Sequence, residues 1–207
     1  MIDTFRAFTT AAFLLDRGVD RIVLVETLDE ARDRARSIPD SILCGEEQGR
    51  RPDDFALGNS PFDAGRYPAL KDRVVVMRTS SGTRSVVSAL RSEVEPVYAA
   101  SLVVAGATAS AVRSRAHVTI VASGLGGVTV ADEDEETAGL IESRLLGHPD
   151  DPDRIDRVRS GTGAERLNTT PWIDPRDLDR CPEVDRFGFA MRVRLEDGVA
   201  VLRREES

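Results

Sequence analysis

Lysine is almost missing from this chain: Lys71 is the single one among 28 basic residues, so arginine carries the positive charge. A guanidinium binds carboxylate and phosphoryl oxygens in pairs, which an ammonium does not. Basic residues are also outnumbered, 28 against 36 acids, for a net charge of −8. A chain this acidic lacks the basic face that a nucleic-acid backbone or an anionic membrane surface requires. Cysteine is scarce too. Cys44 and Cys181 lie far apart with no C-x-x-C spacing, which excludes a disulfide framework and leaves a reducing cytoplasm as the expected compartment. No apolar run approaches the ~20 residues of a membrane span. Met1-Ile2-Asp3 shows no basic leader region, so a soluble cytoplasmic protein is expected. There is no Gly-Lys-Ser/Thr of a Walker loop, and Gly124-Leu125-Gly126-Gly127 lacks the dinucleotide spacing. His117 and His148, the only histidines, form no sequence constellation with a nucleophile, and Cys44 at the end of an apolar run reads as packing.

What the chain does have is apolar mass, 41% of its 207 residues, enough for one full core. Residues 21–26, 41–44, 73–77 and 118–122 are short runs rich in β-branched residues. Their unbroken apolarity predicts strands covered on both faces. Helical stretches are expected over 10–17, from the Thr27-Leu28-Asp29-Glu30 capping box through Arg36, and over 83–91, 108–115 and 134–146. The alternation predicts a three-layer α/β/α domain with a mostly parallel, mixed central sheet. Asp197-Gly198 between residues 187–195 and 199–203 predicts a C-terminal antiparallel hairpin joined to it. Residues 148–182, dense in Asp, Arg, Pro and Gly with Leu167 and Trp172 as apolar anchors, are expected as an irregular excursion or lid within the one domain, 1–207.

Ligands of open α/β sheets bind beyond the carboxyl ends of strands, so the polar residues that follow each run matter most. Asp3-Thr4-Phe5-Arg6-Ala7-Phe8-Thr9-Thr10 precedes the first helix and suits an anion with an adjacent cation. The segment by itself favours a threonine-capped helix with a surface Asp3–Arg6 pair. Gly45-Glu46 and Gly58-Asn59-Ser60-Pro61 offer a carboxylate for Mg²⁺ or water, or plain turn chemistry. Thr79-Ser80-Ser81-Gly82-Thr83-Arg84 is either a phosphate cradle at a helix start or a capped turn. Five consecutive acids, Asp132 to Glu136, form a solvated helix start or lend one or two ligands to a metal ion.

In this order the elements resemble the 2-phosphosulfolactate phosphatase family. Asp3, Arg6, Ala7, Thr9 and Thr10 match its Asp-x-x-Arg-Ala-x-Thr-Thr start, and Gly45-Glu46 and Gly58-Asn59-Ser60-Pro61 match two further elements. Residues 79–84 are similar to its Thr-Thr-Asn-Gly-Thr-Arg loop, and Glu133-Asp134 with Ala138-Gly139 to its Glu-Asp-x-x-x-Ala-Gly element. The resemblance implies an α/β/α domain that removes phosphate from 2-phospho-3-sulfolactate with Mg²⁺, a small anionic substrate. On that footing Asp3, Glu46 and Asp134 are expected to hold Mg²⁺ and orient water. Arg6 and Arg84 would take the phosphate or sulfonate, and Ser80, Gly82 and Thr83 would cradle the phosphoryl group. Thr9, Thr10, Asn59, Ser60, Thr79 and Ser81 are expected to contact substrate. Three departures stand out. Ser81 replaces the family's Asn and Phe8 a small hydroxyl residue. Only two residues precede Asp3, where the family carries a strand. These predict Asp3 and Arg6 on a fraying end, and a bare sheet edge that a second copy covers, giving a dimer. They also keep two other functions in play: binding of a small anionic metabolite without turnover, and the same hydrolysis on another phospho-2-hydroxy acid.

Overall fold

The computed structural model describes residues 1–92 and 94–206. The runs of Val, Ile and Leu become β1 (Arg21–Val25), β2 (Ile42–Gly45) and β3 (Val74–Arg78). A short β4 (Val97–Ala99) and a long hairpin, β5 (Phe189–Glu196) with β6 (Val199–Glu206), complete one sheet of order β2-β3-β1-β6-β5-β4. β2, β3 and β1 form the parallel core, and β6, β5 and β4 continue it antiparallel. Asp197 and Gly198 turn the hairpin with φ of +50° and +75°, the left-handed pair that a two-residue turn demands.

Alternate strand residues face opposite layers. Ile22, Leu24, Val75 and Met77 pack with α1 (Ala7–Asp16) and α4 (Gly82–Arg91), while Val23, Val25 and Val76 pack with α2 (Leu28–Ser37). α3 (Pro61–Ala64) sits against α1, and α5 (Ala105–Val112) packs through Val112 on Tyr98 and Ala190 of the reverse face. Thr27 caps α2, its Oγ1 accepting from Glu30 N at 3.1 Å, while Glu30 Oε2 reaches one residue past the cap and accepts from Glu26 N at 3.2 Å.

α6 (Asp132–Leu146) lies over a second apolar cluster, which joins Ile2 and Phe5 to Leu140, Leu167 and Ile173. The excursion 148–182 is built largely of three short helices, α7 (Arg154–Ser160), α8 (Thr162–Thr169) and α9 (Asp177–Arg180). No helix among the described residues is long and apolar enough to cross a membrane.

Two expectations need correction. Residues 118–122 form no strand, because among the described residues their one bridge joins Ala122 to Ile2, which also bridges Ala100. The same pairing shows that the start does not fray. Ala100 N donates to Met1 O at 2.8 Å, Asp3 N to Ala100 O at 3.2 Å and Ile2 N to Val121 O at 2.8 Å, with Asp3 and Arg6 buried beneath. The sheet edge beside Asp3 is therefore covered at Ala100 rather than bare.

Gly45 ends β2 at φ +137°, and a Cβ built there would lie 1.9 Å from Arg78 O. Gly45→Ala is expected to cost about 3 kcal/mol through strain and overpacking. The fall should appear as a lower urea midpoint at unchanged m.

Candidate active site

Strand ends and helix starts converge on a cavity of about 370 Å³. Asp3, Arg6, Glu46, Asn59, Ser80, Ser81 and Asp134 all line it, so segments more than 100 positions apart supply one site. Gly82 borders it from α4 through its bond to Asp3.

Asp3 organises the centre. Its Oδ1 accepts from Ala7 N at 3.0 Å and its Oδ2 from Gly82 N at 2.9 Å, so one carboxylate caps the first turns of both α1 and α4. The fit needs glycine at position 82, where a Cβ would meet Asp3 Oδ2 at 2.9 Å and Ala7 Cβ at 3.0 Å. Asp134 Oδ1 accepts from Thr4 N at 2.7 Å and its Oδ2 from Gly124 N at 3.0 Å. Burial pushes Asp3 up to about 6, against the pull of its two N–H donors; Glu46's charge adds to the rise. Burial, and then the charge of Asp3, raises Asp134 well above the usual carboxylate range. Glu133 is raised as well, by burial.

Glu46 acts differently. Its Oε1 accepts from Ser80 N at 2.5 Å, and its Oε2 from Gly49 N at 2.6 Å and Ser80 Oγ at 3.0 Å. It thereby ties the loop after β2 to the loop after β3. Ser81 Oγ accepts from Gly126 N at 2.7 Å, which fastens the glycine turn of residues 124–127 over the α4 start.

Arg6 donates from Nη1 to Asp177 Oδ2 at 2.7 Å, with the two side chains 7% and 0% exposed. Asp177 Oδ1 accepts from Ser60 Oγ at 2.6 Å and Phe62 N at 3.1 Å. The expected surface pair with Asp3 is thus replaced by a buried pair with Asp177. Asn59 Oδ1 is buried without a hydrogen-bond partner where the cavity meets a shallower one of about 630 Å³ on the side of Ser60 and Phe62.

Several predicted residues stay out of the cavity. Thr83 Oγ1 accepts from Thr79 N and donates to Thr79 O at 3.0 Å, so both threonines lock the turn from within. Thr9 Oγ1 donates to Thr4 O at 2.8 Å, and Thr10 is fully buried. Arg84 is exposed and lines neither the site nor its neighbour. Phe8 is 0% exposed inside the core, so its departure from the family pattern leaves the cavity wall untouched. Cys44 is buried, its thiol pushed up to about 12 by burial, as packing requires.

Glu133, Arg166, Thr170 and Trp172 also line the cavity; of these the sequence offers only Glu133, as one of five acids of which one or two could serve a metal ion. A faint signal existed in the acidic run: Asp132 and Glu135 are exposed, while Glu133 and Asp134 turn inward. For Arg166 nothing local in the sequence distinguished it from its many neighbours of the same type.

Among the described residues no three Asp, Glu, His or Cys side chains form a ready-made metal cage. The donor chemistry still fits Mg²⁺, which takes one or two carboxylates and completes its shell with water and substrate phosphate. Asp3 and Asp134 are hard-oxygen donors that repel each other and bond only to backbone N–H groups.

A match to known proteins decides the family. Residues 1–165 fit the family model described as 2-phosphosulpholactate phosphatase. The chain belongs to the 2-phosphosulfolactate phosphatase family. Similar proteins named "Probable 2-phosphosulfolactate phosphatase" include those of three bacteria. The one from Pseudothermotoga lettingae is 36% identical over 157 residues, covering 76% of this chain and 66% of that protein. The Thermotoga maritima relative is 31% identical over 145 residues, 70% of this chain and 61% of its own. In Thermus thermophilus the figures are 37% over 173 residues, 83% and 70%. The chain thus spans about two thirds or less of the length of the first two relatives. Asp3, Glu46, the loop after β3 and the Glu133-Asp134 start of α6, all elements of the family resemblance, meet around the cavity.

Proposed function

We propose that the chain hydrolyses the phosphomonoester of 2-phospho-3-sulfolactate, or of a similar phospho-2-hydroxy acid, with Mg²⁺. One observation carries the reading. The Asp3 carboxylate holds the first turns of α1 and α4 at the floor of a cavity that Asp134 also lines. A phosphoryl group at this spot meets the Ser80–Gly82 turn, whose helix dipole favours an anion, and the Arg6 guanidinium, kept in place by Asp177. Asp3 and Asp134 would hold the ion, and one of the two carboxylates takes a proton from the attacking water. The water's oxygen bonds to phosphorus as the ester P–O bond breaks, and the leaving oxygen takes up that proton to give the free hydroxyl. Mg²⁺ supplies the charge that polarises the phosphoryl oxygens. Most of the rate enhancement comes from this positioning and electrostatics.

The test is phosphate release from 2-phospho-3-sulfolactate with Mg²⁺ and with a chelator. Asp134→Asn and Asp3→Asn are expected to lower kcat by about 10³-fold or more if they hold ion and water. Phosphate release that persists in the chelator, or in both variants, counts against the reading. A second reading, binding without turnover, draws support from Ser81, whose hydroxyl is engaged by Gly126 N. It predicts that sulfolactate raises the melting temperature, by about 2.7 kcal/mol of apparent stability at 100 times Kd, while no phosphate appears.

A further inference from the structure

The cavity holds four carboxylates, Asp3, Glu46, Glu133 and Asp134, and among the described residues two guanidinium groups, Arg6 and Arg166. Arg6 is already committed: it donates at 2.7 Å to a carboxylate that is fully buried. Arg166 is not. It stands on α8, and its one ion pair is to Glu133 Oε1 at 3.7 Å, well beyond the ~2.7–2.9 Å of a charge-assisted hydrogen bond. Glu133 is 3% exposed and its Oε2 has no hydrogen-bond partner, so the pair is unfinished on both sides. Arg166 itself is 35% exposed, so the group is both charged and reachable from the cavity.

This wall is distinct from the α4 turn that would receive the phosphoryl group. Leu167, Thr170 and Ile173 follow Arg166 along it. A phospho-2-hydroxy acid carries at least one further acidic group beside its ester. In a cavity so rich in carboxylates, that second anion needs a cation not already spent. Resting on the hydrolase reading above, we propose that Arg166 is a specificity-determining residue: its guanidinium binds the substrate's non-reacting carboxylate or sulfonate, with Glu133 holding it in place meanwhile. The fork of N–H donors suits either oxyanion, since both present paired oxygens.

The experiment compares wild type with Arg166→Gln and Arg166→Lys, all checked for unchanged melting temperature. KM and kcat are measured for 2-phospho-3-sulfolactate and for isopropyl phosphate, which has no second acid group. Arg166→Gln should raise KM for the first about 10- to 100-fold with little change in kcat, and leave the second unaltered. Arg166→Lys should restore part of the loss, because it keeps the charge but not the fork. Equal losses on both substrates, or none on either, would overturn the proposal. Calorimetric binding of sulfolactate to the same proteins separates this idea from the hydrolase reading. Binding to wild type that Arg166→Gln abolishes supports the contact even if no phosphate is ever released. Equal binding by wild type and variant overturns the contact and leaves the hydrolase reading standing, and no binding by wild type overturns the contact as well.

Discussion

Asp177→Ala is expected to lower the unfolding free energy by about 3–5 kcal/mol, a large fraction of the roughly 5–15 kcal/mol of an ordinary domain. The carboxylate is 0% exposed and takes three hydrogen bonds, from Arg6 Nη1, Ser60 Oγ and Phe62 N. Its removal leaves the Arg6 charge buried at 7% exposure with nothing to balance it, and two further donors unpaired. The ion pair itself is not a large source of stability. Burial raises the Asp177 pKa even beside Arg6, which shows how much desolvation offsets the attraction. The double variant Arg6→Met with Asp177→Leu should therefore recover much of the loss while remaining without turnover. Urea titration of the two singles and the double reads this as a cycle. A single variant within ~1 kcal/mol of wild type would contradict the account.

The second large effect is on pH. Burial raises Asp3 to about 6 in the folded chain, above the ordinary aspartate range, so the native state binds its proton more tightly than the unfolded state. Stability from this group is complete below the unfolded value and disappears as pH rises through about 6. The difference is about 3 kcal/mol for Asp3 alone. Asp134 and Glu133, also raised, act with the same sign. Surface acids paired with arginine, such as Asp54 and Asp151, are lowered and lose their contribution only at more acidic pH. The chelator-treated protein should thus melt lower at about pH 7.5 than at about pH 5. Millimolar Mg²⁺ should recover that loss at the higher pH and do little at the lower one, where protons compete for the same oxygens. Scanning calorimetry at both pH values decides it; a melting temperature that rises across this window in chelator, indifferent to Mg²⁺, speaks against a carboxylate ion site.

Local signals were readable wherever local physics decides. β1, β2 and β3 follow from their apolar runs, α2 from its Thr27 cap and the hairpin from Asp197-Gly198. Positions set by partners far along the chain were not. Arg6 finds Asp177 across 171 positions, and nothing near Arg6 encodes that choice over the nearer Asp3. Residues 118–122 have a strand's composition, yet pairing needs a neighbour, and among the described residues Ile2 alone provides one. The hydroxyls of Thr9, Thr79 and Thr83, expected at the ligand, turn to the backbone instead, because short side chains beside a turn bond readily to it. The wall of α8 escaped notice because an arginine on an amphipathic helix looks the same whether it faces solvent or a cavity.

β6 lies between β1 and β5, so the innermost ladders of the sheet involve some of the last residues described. β1 has no partner on that flank until about 175 further residues have left the ribosome. The nascent chain must meanwhile carry an apolar half-sheet with an open flank, a liability for aggregation. Loss of β6 alone would split the sheet through its middle instead of trimming its rim.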